Sequence, residues 1–237
     1  MNATGNITSA ALSDRGRKRL QNEDSILTDA DTGVVILADG LGGHNAGEVA
    51  SALAVTVTHE QILQGLKDAG SNRTDDETGL SSISRVVEQA VIHANSAIHA
   101  KAQKEAEYRG MGTTIVVCVF HDDLITTAHV GDSRLYRKRG QNFTQLTEDH
   151  FTWPWLDRAL GVEEDVLVDV MEESVLPGDT YLLCSDGLTD MVGDGNIHSI
   201  LDKDDTELPQ TATELVQQAN ENGGKDNISV ILVKIRK

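Results

Sequence analysis

The chain has 237 residues, of which 39% are hydrophobic, and this length allows one large domain with a substantial core. This composition is that of an ordinary globular protein, so disordered and low-complexity classes are excluded. The 38 acidic and 20 basic residues give a formal net charge of −18, which repels nucleic acid and anionic membrane surfaces and argues against both as partners.

The predicted elements begin with a strand and two helices. The apolar run at residues 33–38 predicts the strand, and residues 47–66 predict the first helix. The second helix carries an apolar stripe from Ile83 to Ile98 at three-four spacing. Residues 67–79 between the helices are polar and contain glycine, so they predict a solvated loop.

The second half of the chain predicts further strands and a third helix. Strands at residues 113–120, 124–130 and 133–137 follow one another with tight breaks up to Leu146, which predicts an antiparallel meander. Residues 165–170, 179–184 and 228–234 predict three more strands. The third helix is predicted to start at Thr206, with Pro209 in its first turn, and to end at Asn222-Gly223-Gly224.

These elements predict one α+β domain over residues 1–237, because no linker or repeat divides the chain. Cys118 and Cys184 lie in apolar runs and predict buried free thiols in a reducing compartment. The first ten residues lack the basic start and apolar stretch of a secretion signal. No apolar run approaches the ~20 residues that cross a bilayer, so we expect a cytoplasmic protein without a membrane segment.

Asp39, Asp132, Asp186 and Asp226 stand out because each lies where an apolar strand meets a turn containing glycine or asparagine. Each one alone is most simply a turn residue. If they converge, they need a counter-charge, since neighbouring carboxylates raise one another's pKa. An all-oxygen set favours Mg²⁺ or Mn²⁺, and a carboxylate that bridges two such ions would hold a water of lowered pKa as a nucleophile.

Two further features allow both a functional and a structural interpretation. His44 follows the first of these aspartates and can protonate a leaving alkoxide, or it is a surface histidine near a helix start. Arg15, Arg17, Lys18 and Arg19 form a basic cluster in an acidic chain. One of them can clamp a phosphate with its donors, although such a charge run is more often a solvated face.

Seven motifs, taken together in this order, resemble the metal-dependent protein phosphatase family of type 2C Ser/Thr phosphatases, and its bacterial branch most of all. They are RLQNED (19–24), DGLGGH (39–44), GMGTT (110–114), HVGDSR (129–134), LTEDH (146–150), CSDGL (184–188) and KDN (225–227). The resemblance covers about residues 9–233. It implies an antiparallel β-sandwich of two sheets flanked by helices on both outer faces, in α-β-β-α layers.

The resemblance also implies roles for the acidic residues. Asp39 matches the carboxylate that bridges two metal ions, and Gly40 matches the residue whose carbonyl binds one of them. Asp186 and Asp226 match the other direct ligands. Asp132 matches a ligand of a looser third ion, which it would share with Asp186.

Four other positions match supporting roles in the family. Glu23 and Asp24 resemble the acidic pair that orders metal-bound water. Arg19 matches the arginine that grips the substrate phosphate, and His44 matches the proposed general acid only approximately. The catalytic residues implied in this way are His44 and Asp39.

The chain departs from the family's bacterial pattern between His150 and Arg158. Bacterial relatives usually carry a mobile flap there, but only residues 151–157 separate the two motifs in this chain. The short segment contains Phe151, Trp153 and Trp155. We favour the interpretation that these aromatic residues plug the core edge left by the missing flap. The other interpretation is a surface that receives a partner or a phosphopeptide.

The resemblance implies a cytoplasmic protein phosphatase that hydrolyses phosphoserine and phosphothreonine by direct attack of water held between two metal ions. Its cofactors would be Mn²⁺ or Mg²⁺, as two tight ions and a third weak one. Its partners would be phosphorylated proteins, and a separate Ser/Thr kinase would be its functional counterpart. We expect a monomer that binds neither nucleic acid nor membrane. The alternative is a catalytically inactive relative that binds phosphoproteins as a regulator.

Overall fold

Two antiparallel sheets form the centre of the fold. The computed structural model describes residues 7–41, 46–68, 81–152, 155–203 and 207–236. The six-stranded sheet contains, in spatial order, β11 (Asp169–Ser174), β6 (Leu124–Val130), β5 (Ile115–His121), β3 (Val34–Leu41) and β2 (Asp24–Asp29), with β4 (Gly112–Thr113) paired to β3. The five-stranded sheet contains β1 (Ile7–Asp14), β13 (Ile228–Ile235), β12 (Thr180–Cys184), β7 (Arg134–Arg139) and β8 (Asn142–Gln145). Separately, β9 (Phe151–Thr152) and β10 (Trp155–Leu156) form a short hairpin.

Helices cover the outer faces of both sheets. The six-stranded sheet packs against α1 (Gly47–Asp68) and α2 (Ser82–Lys104), and a short 3₁₀ helix, Ala106–Tyr108, follows α2. The five-stranded sheet packs against α3 (Asp186–Thr189), α4 (Asp194–Leu201) and α5 (Leu208–Glu221). The predicted α-β-β-α architecture is therefore confirmed. None of the helices described is long and apolar enough to cross a membrane.

The alternation along β3 divides its side chains between two cores. Val34 and Ile36 pack against the helices, whereas Val35 and Leu37 pack between the sheets. Both faces of β3 are buried, which explains why its sequence is continuously apolar and does not alternate with polar residues. On the other side of the sandwich, Leu182 packs under the outer helices in a third core.

The predicted meander from Thr113 to Leu146 is wrong in one respect. β5 pairs with β6 and β7 pairs with β8, but β6 and β7 lie in different sheets. Gly131, between them, has a φ of +107°, which other residues rarely adopt, and the chain crosses the sandwich at this point. Hydrophobic alternation carries no information about which sheet a strand joins.

Other boundaries also differ from the predictions. The strand predicted at residues 165–170 is β11, which begins only at Asp169, and strands β1, β2 and β8 were not predicted. The third helix begins at Leu208, because Glu207 and Gln210 form a capping box there. Thr206 lies outside the described residues. Helix α1 continues two residues beyond the predicted end at Leu66, and most of the predicted loop, residues 69–79, lies outside the described residues.

Candidate metal centre

Asp24 and Asp39 lie side by side on neighbouring strands. β2 and β3 pair so that these two residues are register partners. Thr114 fixes the backbone of Asp39, because its hydroxyl accepts from the Asp39 N–H at 3.1 Å and its own N–H donates to the Asp39 carbonyl at 2.9 Å. The six-stranded sheet therefore places two carboxylates at one edge of the sandwich.

The five-stranded sheet brings Asp186 and Asp226 to the same edge. Asp186 is the first residue of α3, directly after β12, and Asp226 lies just before β13. The hydroxyl of Ser185 donates to Asp24 Oδ2 at 2.9 Å and so joins the two sheets at this point. The strand-end aspartates therefore do converge, with Asp24 as an additional member.

The electrostatics of this carboxylate cluster (Asp24, Asp39, Asp186 and Asp226) require a counter-charge. Burial, followed by the charges of its three neighbours, raises the pKa of Asp39 well above its usual value. Burial raises the pKa of Asp24 to about 6, and burial together with Asp132 and Asp226 raises that of Asp186 to about 7. Among the described residues, one buried oxygen of Asp24 and one of Asp186 find no hydrogen-bond partner. Unpartnered, crowded carboxylate oxygens fit hard divalent cations such as Mg²⁺ or Mn²⁺.

Arg19 and Glu23 border the carboxylate cluster. The Arg19 guanidinium pairs with Asp226, and the arginine side chain is 53% exposed, so it lies on the solvent side. Burial, then the neighbouring Glu48, raises the pKa of Glu23, whereas Arg19 lowers it. Arg19 thus combines proximity to the cluster with access to a ligand, whereas the Arg15 guanidinium bonds the carbonyl of Leu20.

Gly40 is required by a close approach of three backbone segments. Its N–H donates to the Glu23 carbonyl at 3.2 Å. A Cβ at this position would lie 2.5 Å from the Glu23 carbonyl oxygen and 2.3 Å from that of Gly47. Only glycine therefore fits here, and Gly47 at the start of α1 is packed against Asp39's strand.

Asn227 is an anchor whose role the sequence did not reveal. Its side-chain oxygen accepts from the Glu23 N–H at 2.8 Å, and its amide donates to the carbonyls of Arg15 and Gln21 at 2.9 and 3.0 Å. These bonds pin the segment that carries Arg19 and Glu23 to the turn before β13. No spacing or composition signal identifies this role, because each bond spans more than 200 residues of sequence.

Asp132 lies on the crossing between the two sheets and borders Asp186. Burial, then the charges of Asp149 and Asp190, raises the pKa of Asp132. Asp190, which is exposed, also acts on Asp186 and was not singled out from the sequence. Asp132 is thus part of a second acidic group that adjoins the carboxylate cluster.

A histidine cluster supports the turn before Asp132. Within the described ranges, only His129, His150 and Asp169 bring three possible metal-ligand atoms (ring nitrogens or carboxylate oxygens) within 4.8 Å of one another. Nδ1 of His150 accepts from the Gly131 N–H at 3.1 Å, so its proton is on Nε2, which faces Asp169 at 3.2 Å. The Arg158 guanidinium lies 2.7 Å from Asp169 and 3.2 Å from the same Nε2, so it already supplies the positive charge at this group. The carboxylate cluster does not bring three ligand atoms within 4.8 Å of one another, so an ion bound there would draw its side chains closer together.

Some predicted site residues lie outside the described residues. They are His44 and Trp153, and nothing is described of the Trp155 side chain. Phe151 is described and is 39% exposed. Phe151 lies on the β9–β10 hairpin and is too exposed to fill the core as that interpretation expects. The interpretation stays a prediction for the two tryptophans.

The family model described as "Protein phosphatase 2C" matches residues 14–232. The chain belongs to this family. It is 37% identical to the serine/threonine phosphatase stp of Listeria monocytogenes serovar 1/2a over 93% of each chain. It is 35% identical to the protein phosphatase PhpP of Streptococcus pneumoniae serotype 2, over 94% of this chain and 96% of PhpP.

Solved structures of phosphatase 2C proteins share the fold. The catalytic domain of the serine/threonine protein phosphatase PstP, in complex with two manganese ions, superposes with a TM-score of 0.84 at 33% identity. The match covers 98% of this chain and 99% of that domain. The resemblance drawn from the seven motifs, and the layered architecture that it implies, are therefore confirmed.

Proposed function

We propose that this phosphatase 2C family member is a metal-dependent protein serine/threonine phosphatase that hydrolyses phosphoserine and phosphothreonine. The observation that carries this proposal is the convergence of four carboxylates from both sheets, in which one buried oxygen each of Asp24 and Asp186 has no hydrogen-bond partner within the part of the chain that the structure describes. The serine/threonine phosphatase stp at 37% identity and the protein phosphatase PhpP at 35% identity support the same activity.

Within this function, Asp39, Asp186 and Asp226 and the carbonyl of Gly40 would hold two divalent ions, Mn²⁺ or Mg²⁺. Bound there, the ions would neutralise the carboxylates, lower the pKa of a bound water and stabilise charge on the phosphoryl oxygens. Asp132 would join Asp186 at a weaker third position. Glu23 and Asp24 would orient water by hydrogen bonds.

Arg19 would bind the substrate phosphate through its planar guanidinium. Its exposure and its place beside Asp226 support this role, since a phosphate that approaches the cluster from solvent meets Arg19. His44 remains our proposal for the general acid. We also propose a cytoplasmic monomer of one domain that opposes a separate Ser/Thr kinase, and the two buried free cysteines agree with a reducing compartment.

The alternative, a catalytically inactive phosphoprotein-binding relative, is not favoured. All the aspartates that match metal ligands are present, and the charge that they gather at one edge is what a divalent ion requires.

A phosphatase assay with a phosphothreonine peptide and with a small aryl phosphate tests the proposal. We expect turnover of both with Mn²⁺ and none after chelation. Arg19→Ala should raise KM for both substrates, because both carry the phosphate. Lys18→Ala, which removes the same charge from an exposed neighbour, is the control. Metal-independent turnover would contradict the proposal, and an Arg19 effect confined to peptides would remove Arg19 from the phosphate site.

A further inference from the structure

A groove lies beside the carboxylate cluster. It encloses about 600 Å³ between Leu41, at the end of β3, Gly110 and the segment 156–167 that follows the short hairpin. We call it the flanking groove.

The flanking groove is directly connected to the backbone of Asp39. The Thr113 hydroxyl donates to the Asp39 carbonyl at 2.8 Å. Thr113 also exchanges two backbone hydrogen bonds with Leu160, at 3.1 and 2.8 Å, within the segment that forms the groove wall. Leu41 is only two residues from Asp39, so an extended peptide, which advances ~3.3 Å per residue, reaches the groove within a few residues of a phosphate bound at the cluster.

The walls of the flanking groove are apolar and unusually exposed. Val162 is 48% exposed and Leu167 is 66% exposed, and they lie with Leu41 and Leu156 along the same depression. Large apolar side chains grouped in an exposed concavity are typical of a binding surface.

The rim of the flanking groove is acidic. Asp157, Glu163 and Asp165 line it, and within the described ranges neither Glu163 nor Asp165 forms an ion pair. Among the described lining residues the one cation is Arg158. Asp169 binds its guanidinium at 2.7 Å, so Arg158 does not neutralise the negative charge of the rim. The groove therefore attracts cationic side chains and repels acidic ones.

We propose that the flanking groove binds substrate residues next to the phosphorylated serine or threonine and selects an apolar side chain adjacent to a basic one. This proposal rests on the proposed phosphatase function and assigns it a substrate class. A phosphopeptide matches both features, since its apolar side chain covers Val162 and Leu167 while its lysine or arginine meets Glu163 and Asp165. A second copy of this chain would instead bring a further net charge of −18 towards an acidic rim.

Paired phosphothreonine peptides test this selection. Within each pair, one peptide carries Leu-Lys beside the phosphothreonine and the other carries Leu-Glu. One pair has the dipeptide before the phosphothreonine, and a second pair has it after the phosphothreonine. The attraction of the peptide lysine to Glu163 and Asp165 is that of two exposed ion pairs of ordinary strength. We therefore expect kcat/KM to favour the basic peptide on the order of fivefold in one of the two pairs. Glu163→Gln with Asp165→Asn should reduce that preference below about twofold. Leu167→Ser should lower kcat/KM for both peptides.

The matched control removes two acidic charges distant from the groove, one from the β2–β3 turn and one from helix α1. Asp31→Asn with Glu60→Gln changes the net charge equally at exposed positions, and Asp31 lies in the β2–β3 turn, opposite the end that carries Asp39. The control should keep the wild-type preference, and every variant should hydrolyse a small aryl phosphate at the wild-type rate, because that substrate has no flanking residues.

The outcomes separate the two proposals. No preference in the wild-type protein, or an equal preference in the groove variant and the control, overturns the flanking groove while aryl phosphate turnover upholds the phosphatase. A lack of turnover of peptides and aryl phosphate alike, with Mn²⁺ present, overturns the phosphatase function and the groove with it.

Discussion

Removal of divalent ions should make the stability of this protein fall as pH rises from 5 to 8. Burial and neighbouring charges raise the folded-state pKa of Asp186 to about 7. A carboxyl group whose pKa is raised by folding stabilises the protein below its unfolded pKa, and that contribution is lost as pH rises through the folded value. Asp24, with a pKa of about 6, acts in the same direction.

The expected magnitude follows from the pH interval over which Asp186 stays protonated only in the folded state. Between pH 5 and pH 7 that difference is worth about 2 kcal/mol, at 1.36 kcal/mol per pH unit and with Asp186 half protonated at the upper end. In a protein of 237 residues, this corresponds to a fall in Tm of about 4–8 °C. Mn²⁺ supplies the missing counter-charge and should therefore raise Tm more at pH 8 than at pH 5.

Thermal unfolding of the chelated and Mn²⁺-loaded protein, followed by circular dichroism, measures both effects. Buried His129 has a pKa lowered by burial and destabilises the protein below ~6.5, which is the opposite trend. Asp186→Asn isolates the contribution of the Asp186 carboxylate, because it should make the fall in Tm of the chelated protein between pH 5 and pH 8 smaller. Asp31→Asn should leave that fall unchanged. A chelated wild-type protein as stable at pH 8 as the Asp186→Asn variant would refute the reasoning.

Three substitutions, one beside the ligand Asp186 and two distant from the cluster, should separate site effects from stability effects. Gly187→Ala would place a Cβ 1.9 Å from the Asn227 carbonyl oxygen, so we expect a loss of about 2–3 kcal/mol and of phosphatase activity, measured by urea unfolding and turnover. Gly195→Ala, which meets nothing within 4 Å on helix α4, should leave stability within about 1 kcal/mol and activity unchanged. Asp179→Ala breaks the ion pair between Asp179, which is 1% exposed, and Arg139, and should cost about 3 kcal/mol with kcat retained, because it lies at the opposite end of β12 from the site. If Asp179→Ala lost as much kcat as Gly187→Ala, stability effects and site effects would not be separable in this way.

The sequence was sufficient for the central strands and for the aspartates at their ends. The run from Val34 to Ala38 is continuously apolar because both faces of β3 are buried, and Asp39 is visible as the first polar residue after that run, although β3 itself continues to Leu41. β11 was misplaced because its own sequence, Asp169–Ser174, mixes apolar and charged residues. Its Glu173 is accommodated by Arg137 of the opposite sheet at 2.6 Å, a contact that no local pattern contains.

The remaining parts of the site depend on contacts between distant segments. The resemblance gives Asp24 an outer role. Its position beside Asp39 follows from the register between β2 and β3, and the sequence does not predict strand β2. The anchoring bonds of Asn227 and the tight fit of Gly187 against it likewise exist only when the two sheets are packed together. Local sequence therefore indicates candidate ligands, whereas their support is a tertiary property.

Equilibrium binding of Mn²⁺ to the wild-type protein and to Asp39→Asn, with turnover measured on the same samples, tests the metal centre most directly. Asp39 is buried, and three neighbouring aspartates of the cluster raise its pKa further. The wild-type protein should bind two tight ions, and Asp39→Asn should bind both weakly and hydrolyse no phosphopeptide, while it remains folded. Near-normal turnover and two tight ions in Asp39→Asn at saturating Mn²⁺ would contradict the assignment of this cluster as the catalytic metal centre.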